Sequence, residues 1–196
     1  MKVIGLTGSV GSGKSTVAKM MEEKFHAYVI YTDEVAKDFM KPGQVSYQLT
    51  LNYFGTNILF ENGEIDRGKL ASIVFQDEKK LATLNSFIHP YVKEYVLETI
   101  EKVKESGVHS YCVVETALLL QAGYTGFCDE IWIVTLMDEI RRKRLKESRG
   151  YSDEKIDSIL KNQLSEQKLR DAATHIIENN GDIDKLEQEI QFLLEI

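Results

Sequence analysis

"GLTGSVGSGKST", Gly5 to Thr16, follows a short apolar run and opens a helix-like stretch. Gly8, Gly13, Lys14 and Ser15 fit G-x-x-x-x-G-K-[ST] without a mismatch. The glycines let the backbone curl so that N–H groups of the turn, those of Gly11, Ser12 and Gly13 among them, point inward at phosphate oxygens. The following helix directs its N-terminus at the same anion. In such a cradle Lys14 reaches the β- and γ-phosphates, and the Ser15 hydroxyl is a Mg²⁺ ligand. Thr16, next in the first helical turn, is placed for the α-phosphate. The stretch therefore predicts a site for the phosphates of a nucleotide, with Mg²⁺.

Working outward, "KVIGLT", "AYVIYT", "SYCVVE", "DEIWIVTL" and "THIIEN" read as short β runs separated by helical segments. Runs that are apolar along most of their length fit a parallel sheet covered on both faces. The expected fold is α/β: a P-loop NTPase of three layers, α/β/α, around a central parallel sheet of about five strands. Lys14–Lys24 reads as a helix with Val17, Met20 and Met21 on one face. A terminal amphipathic helix carries Ile183, Leu186, Ile190 and Leu193 toward the core. One mostly helical stretch, residues 41–107, breaks the rhythm and reads as a helical insert standing over the sheet edge. Residues 1–40 and 108–196 then form the core, with residues 139–172 as a helical lid, all in a single unit.

The chain has 196 residues, a formal net charge of −7 and 43% hydrophobic residues, which suits a globular protein with a real core. The acidic balance argues against a nucleic-acid partner. No apolar run is long enough for a bilayer-spanning helix, and the first residues do not read as a secretory signal. Cys112 and Cys128 show no metal spacing and read as reduced thiols, so a cytoplasmic protein is expected, as a monomer or small homo-oligomer.

The class of P-loop protein follows by elimination. N-K-x-D and D-x-x-G, which a GTPase would carry, are absent, as is the L-S-G-G-Q of transporter ATPases. "CVVE" ends in Glu115 alone rather than in Asp-Glu. A small-molecule kinase fits the length and the insert. It needs a carboxylate to orient or deprotonate the attacking hydroxyl, and mobile cations over the phosphates. Asp33 follows the second β run, at the sheet edge where open α/β proteins bind ligands; it also reads as the N-cap of the next helix. The cations lie in "EIRRKRLKESRGYS", where Arg144 and Arg149 are the expected phosphate contacts and the remainder a solvated face.

Taken together, these residues resemble the dephospho-CoA kinase family over almost the whole chain. "IGLTGSVGSGKSTVA" resembles that family's N-terminus, and "YTDEVAK" its D-A-D-x-[IV]-A-[RH], with Asp33 at the second acid. "NGEIDRGKLASIVFQD" and "LNSFIHPYV" resemble segments of its insert, and "IIENNGD" its I-x-N-x-G. The resemblance implies transfer of the ATP γ-phosphoryl group to the ribose 3′-hydroxyl of dephospho-CoA. Asp33 would be base or orienter; Lys14, Arg144, Arg149 and Mg²⁺ on Ser15 would stabilise charge. It further implies an insert that holds the acceptor, acceptor contacts from Asp33, Lys37, His89 and Glu115, and an adenine-side contact from Asn179; the alternative for His89 is a plain helix-start residue before Pro90. Departures from the family pattern fall mainly on the acceptor side: Tyr31 for its first acid, Lys37 for Arg or His, and "ETALLLQ" for D-x-P-L-L-F-E. In the lid, Ile159 replaces an Arg, while the Gln of the second lid helix is retained as Gln163. A kinase for another hydroxyl acceptor, such as a nucleoside or nucleotide, and a non-catalytic ATP-binding paralogue are the alternatives.

Overall fold

The structure, a computed structural model, describes residues 1–195. Five strands, β1 (Lys2–Gly8), β2 (Tyr28–Tyr31), β3 (Tyr111–Glu115), β4 (Glu130–Thr135) and β5 (His175–Glu178), form one sheet in the order β2-β3-β1-β4-β5. β1 runs parallel to both β3 and β4, and β4 parallel to β5. Val3 to Gly8 of β1 are all buried. A central parallel strand has no solvated face, which is why these runs lack polar alternation. The register sets Leu6 opposite Glu115 and Gly8 opposite Val134. The phosphate loop therefore leaves β1 at the edge where β3 delivers Glu115. Inside β1, a Cβ on Gly5 would stand 2.5 Å from Leu119 Cδ1 and 3.0 Å from Cys128 Sγ, so packing rather than a turn demands glycine there.

The chain forms two compact units, Met1–Ile30 with Lys102–Ile196, and Tyr31–Glu101. The first holds α1 (Lys14–Phe25), α6 (Asp138–Arg149), α7 (Asp153–Lys161), α8 (Glu166–Ala172) and α9 (Ile183–Glu195). α1 buries Val17, Ala18, Met20 and Met21, while α9 buries Leu186 and Ile190. Ile183, expected to face the core, is instead 52% exposed. It opens the first turn of α9, where no preceding turn exists to complete an apolar stripe.

The second unit holds α2 (Thr32–Phe39), α3 (Val45–Phe54), α4 (Arg67–Val74) and most of α5 (Glu78–Ser106). Tyr47, Ile58, Ile65, Leu70, Val74 and Leu84 make its core. Asp66 caps α4, its Oδ1 accepting from Lys69 N at 3.0 Å, a bond worth about 1 kcal/mol. In "EIDRGKL", then, Ile65 is core and Asp66 a cap.

Two local expectations are corrected here. Tyr31, not Asp33, is the N-cap of α2; Asp33 sits in its first turn. His89 does not begin a helix, because α5 runs on through Pro90. Pro90 has no N–H for the Ser86 carbonyl, but the long helix tolerates one missing rung.

Candidate active site

The phosphate loop is shaped by backbone that only glycine adopts readily. Gly8, Gly11 and Gly13 have φ of 154°, 76° and 90°, in the positive range that penalises a Cβ. At Gly13 a Cβ would also fall 2.1 Å from Asn179 Nδ2, and at Gly8 it would fall 2.3 Å from the Val134 carbonyl oxygen. Gly13 caps α1, and no acidic residue lies in that helix's first turn. The helix N-terminus and the loop amides thus face a cleft without opposing charge from their own element.

That cleft, about 620 Å³, is lined among others by Gly13, Lys14, Thr16, Arg144, Arg149 and Asn179. Gly11 and Ser15 line it as well. Lys14 donates from Nζ to the Gly8 carbonyl at 2.9 Å, folding back across the loop that it follows. Ser12, within the loop, is fully buried. The Ser15 hydroxyl donates to Glu115 Oε1 at 3.4 Å, and Glu115 is only 6% exposed.

The basic run divides by partner. Arg142 is held by Asp138, Asp153 and Asp157, at 2.6, 3.2 and 2.6 Å. Those bonds, Asp157's foremost, push its pKa further up. Lys146 meets Asp153 at 2.7 Å and, with Arg142, holds that carboxyl below its usual range. These cations are engaged between α6 and α7. Arg144 and Arg149 are the arginines of the run that reach the cleft wall.

Three side chains outside the loop grip it. Asn179, at the end of β5, donates from Nδ2 to the Ser12 carbonyl at 2.9 Å. Gln163 Oε1 accepts from Val10 N at 2.9 Å. Arg141 donates from Nη1 to Ser9 Oγ. Gln163 lies in the turn after α7, not on a helix as expected. Arg141 escaped the sequence reading because a run of like charges does not reveal which member turns inward. Its position, three before Arg144, was the available signal.

In the second unit, Asp33 and Lys37 are both exposed on α2, and Lys37 pairs with Glu34 at 2.5 Å. His89 is half-buried on α5, and desolvation lowers its pKa. Asp38, Phe39 and Tyr95 help line a pocket of about 290 Å³ within this unit. Phe39 also stacks edge-on with Tyr95 at 6.3 Å between ring centroids. The sequence reading did not single out this aromatic pair, which joins residues far apart in the chain.

A glycine cradle at the end of a central parallel strand, a lysine and hydroxyl behind it, and arginines on the facing helix define a P-loop kinase architecture. The family model for dephospho-CoA kinase matches residues 2–185. A dephospho-CoA kinase from Carboxydothermus hydrogenoformans is 38% identical over 196 residues, covering 100% of this chain and 94% of that one. The chain belongs to the dephospho-CoA kinase family. Among solved structures, a protein from Thermus thermophilus superposes with a TM-score of 0.83 at 27% identity, covering 99% of this chain and 96% of that one. A shikimate kinase from Bacteroides thetaiotaomicron, 16% identical with a TM-score of 0.60, covers 100% and 99%. It shares the fold alone, which therefore does not choose the acceptor. Among the described residues, no helix is long and apolar enough to cross a membrane.

Proposed function

We propose that this protein transfers the γ-phosphoryl group of ATP to the ribose 3′-hydroxyl of dephospho-CoA, giving coenzyme A, in the cytoplasm. The observation that carries this reading is the family match over residues 2–185. The donor cleft supports it with the parts that such a transfer needs. The amides of the loop and the α1 N-terminus hold the phosphates. Lys14, Arg144 and Arg149 offset the charge that builds on the transferring group.

A buried carboxylate oxygen 3.4 Å from a hydroxyl, Glu115 beside Ser15, is an oxygen donor set that suits Mg²⁺. Ser15 would hold the ion and Glu115 would support it. Held there, Mg²⁺ would supply neutralising charge for the phosphates of the nucleotide. This reading moves Glu115 from the acceptor side to the metal side. Asp33 orients the acceptor hydroxyl and takes its proton. Lys37 and His89 serve acceptor binding from the Tyr31–Glu101 unit. The protein acts as a monomer or small homo-oligomer, with ATP and dephospho-CoA as its substrates.

The test is mass detection of a product one phosphoryl group heavier than dephospho-CoA, after incubation with ATP and Mg²⁺. Turnover of a nucleoside or nucleotide with none of dephospho-CoA would replace the acceptor. ATP binding without transfer to any of them would mark a regulator rather than an enzyme.

A further inference from the structure

Arg141 is 4% exposed, in the first turn of a helix otherwise dominated by solvated charge. A buried guanidinium normally sits against a close carboxylate. Here the acids are loose: Asp138 stands 3.7 Å from Nε and Glu166 3.9 Å from Nη2. Nε itself has no hydrogen-bond partner, and Nη2 reaches the Leu136 carbonyl only at 3.5 Å. The short bond is the one that Nη1 donates to Ser9 Oγ, inside the phosphate loop. The next loop residue, Val10, is held through its N–H by Gln163. The loop's outer turn is therefore fixed by the turn after α7 and by α6, the helix that also carries Arg144 to the cleft wall.

We propose that Arg141 is a positioning residue that ties α6 to the phosphate loop through Ser9, setting the loop for the nucleotide. Arg141 does not line the cleft, and it acts only through Ser9. The inference rests on the donor role proposed for the cleft, but not on the identity of the acceptor.

Calorimetric titration of the full-length protein with ATP and Mg²⁺, needing no acceptor, tests it. Arg141→Met and Ser9→Ala each weaken ATP binding by about tenfold, the scale of one lost charged hydrogen bond. The double variant binds no more weakly than the worse single one, because both remove the same link. Arg141→Lys recovers part of the affinity. Losses that multiply in a folded double variant would overturn the proposal. So would Ser9→Ala binding ATP like the unaltered protein, a result that decides the matter even if Arg141→Met does not fold. Absence of ATP binding in the unaltered protein would instead defeat the donor role itself.

Discussion

The Asn179 side-chain amide donates to the Ser12 carbonyl at 2.9 Å, and the same nitrogen occupies space that a Cβ on Gly13 would need. Asn179 is 8% exposed, so it has little room to withdraw. The glycine of the phosphate loop is thus required twice, by its own φ and by its neighbour. Gly13→Ala should weaken ATP binding by about a hundredfold, combining strain at positive φ with the clash. Adding Asn179→Ala should recover only part, since the backbone strain remains. Titration with ATP checks both; full recovery in the double variant would mean that φ at Gly13 is unimportant.

The proposed function puts Asp33 on the acceptor hydroxyl and not on the nucleotide. Asp33→Asn should lower kcat by about a hundredfold or more, on the scale of general-base removal, and leave ATP affinity within about twofold. Steady-state kinetics beside ATP titration separate the two. A variant that loses ATP affinity while keeping kcat would move Asp33 to the donor side.

Among the arginines of α6, the partners predict the roles. Arg144→Ala and Arg149→Ala should each cut kcat by about tenfold to a thousandfold, as removal of a group aimed at developing charge does. Arg142→Ala should leave kcat nearly unchanged, because its guanidinium is spent on Asp138, Asp153 and Asp157. Its effect should appear as a lower melting temperature. An Arg142→Ala protein with intact stability and lost activity would reverse the assignment.

His89 titrates below the usual histidine range because its burial disfavours the charged ring. The folded protein therefore binds its proton less readily than the unfolded chain. Stability from this group is fully present above the unfolded pKa, about 6.5. It declines as the pH falls from there through the folded pKa. The melting temperature should drop between pH 7.5 and 5.5, and His89→Gln should drop less. Equal losses in both proteins would show that other groups govern the acid limb.

Much of the donor half was legible in the sequence. Gly8 to Thr16 announce themselves through spacing, since the loop is local and every constraint on it lies within a few residues. The strands were legible for a related reason: burial on both faces removes polar alternation, as in Val3 to Gly8. What remained hidden depends on contacts across long sequence separations. Arg141 reaches Ser9, Gln163 reaches Val10, and Asn179 reaches Ser12. A charge run does not say which arginine turns inward, and a polar residue after β5 does not say what it holds. Local competition produced the other errors. Pro90 suggested a helix start to its left, yet the flanking turns of α5 were stable enough to absorb it. Asp33 has the chemistry of a cap, yet the chain enters α2 two residues earlier.

The order of strands carries one more consequence. β2 and β3 are neighbours in the sheet, and the chain runs through the whole Tyr31–Glu101 unit after its first residue before it reaches β3. A crossover between parallel neighbours requires only about a dozen residues or somewhat more. The rest is a cassette spliced into one connection, and the cradle, Glu115 and the arginines of α6 all lie outside it. On the function proposed above, exchanging the cassette would change which alcohol is phosphorylated and replace Asp33 with it, while the glycine cradle, Lys14 and the arginines of α6 stayed in place.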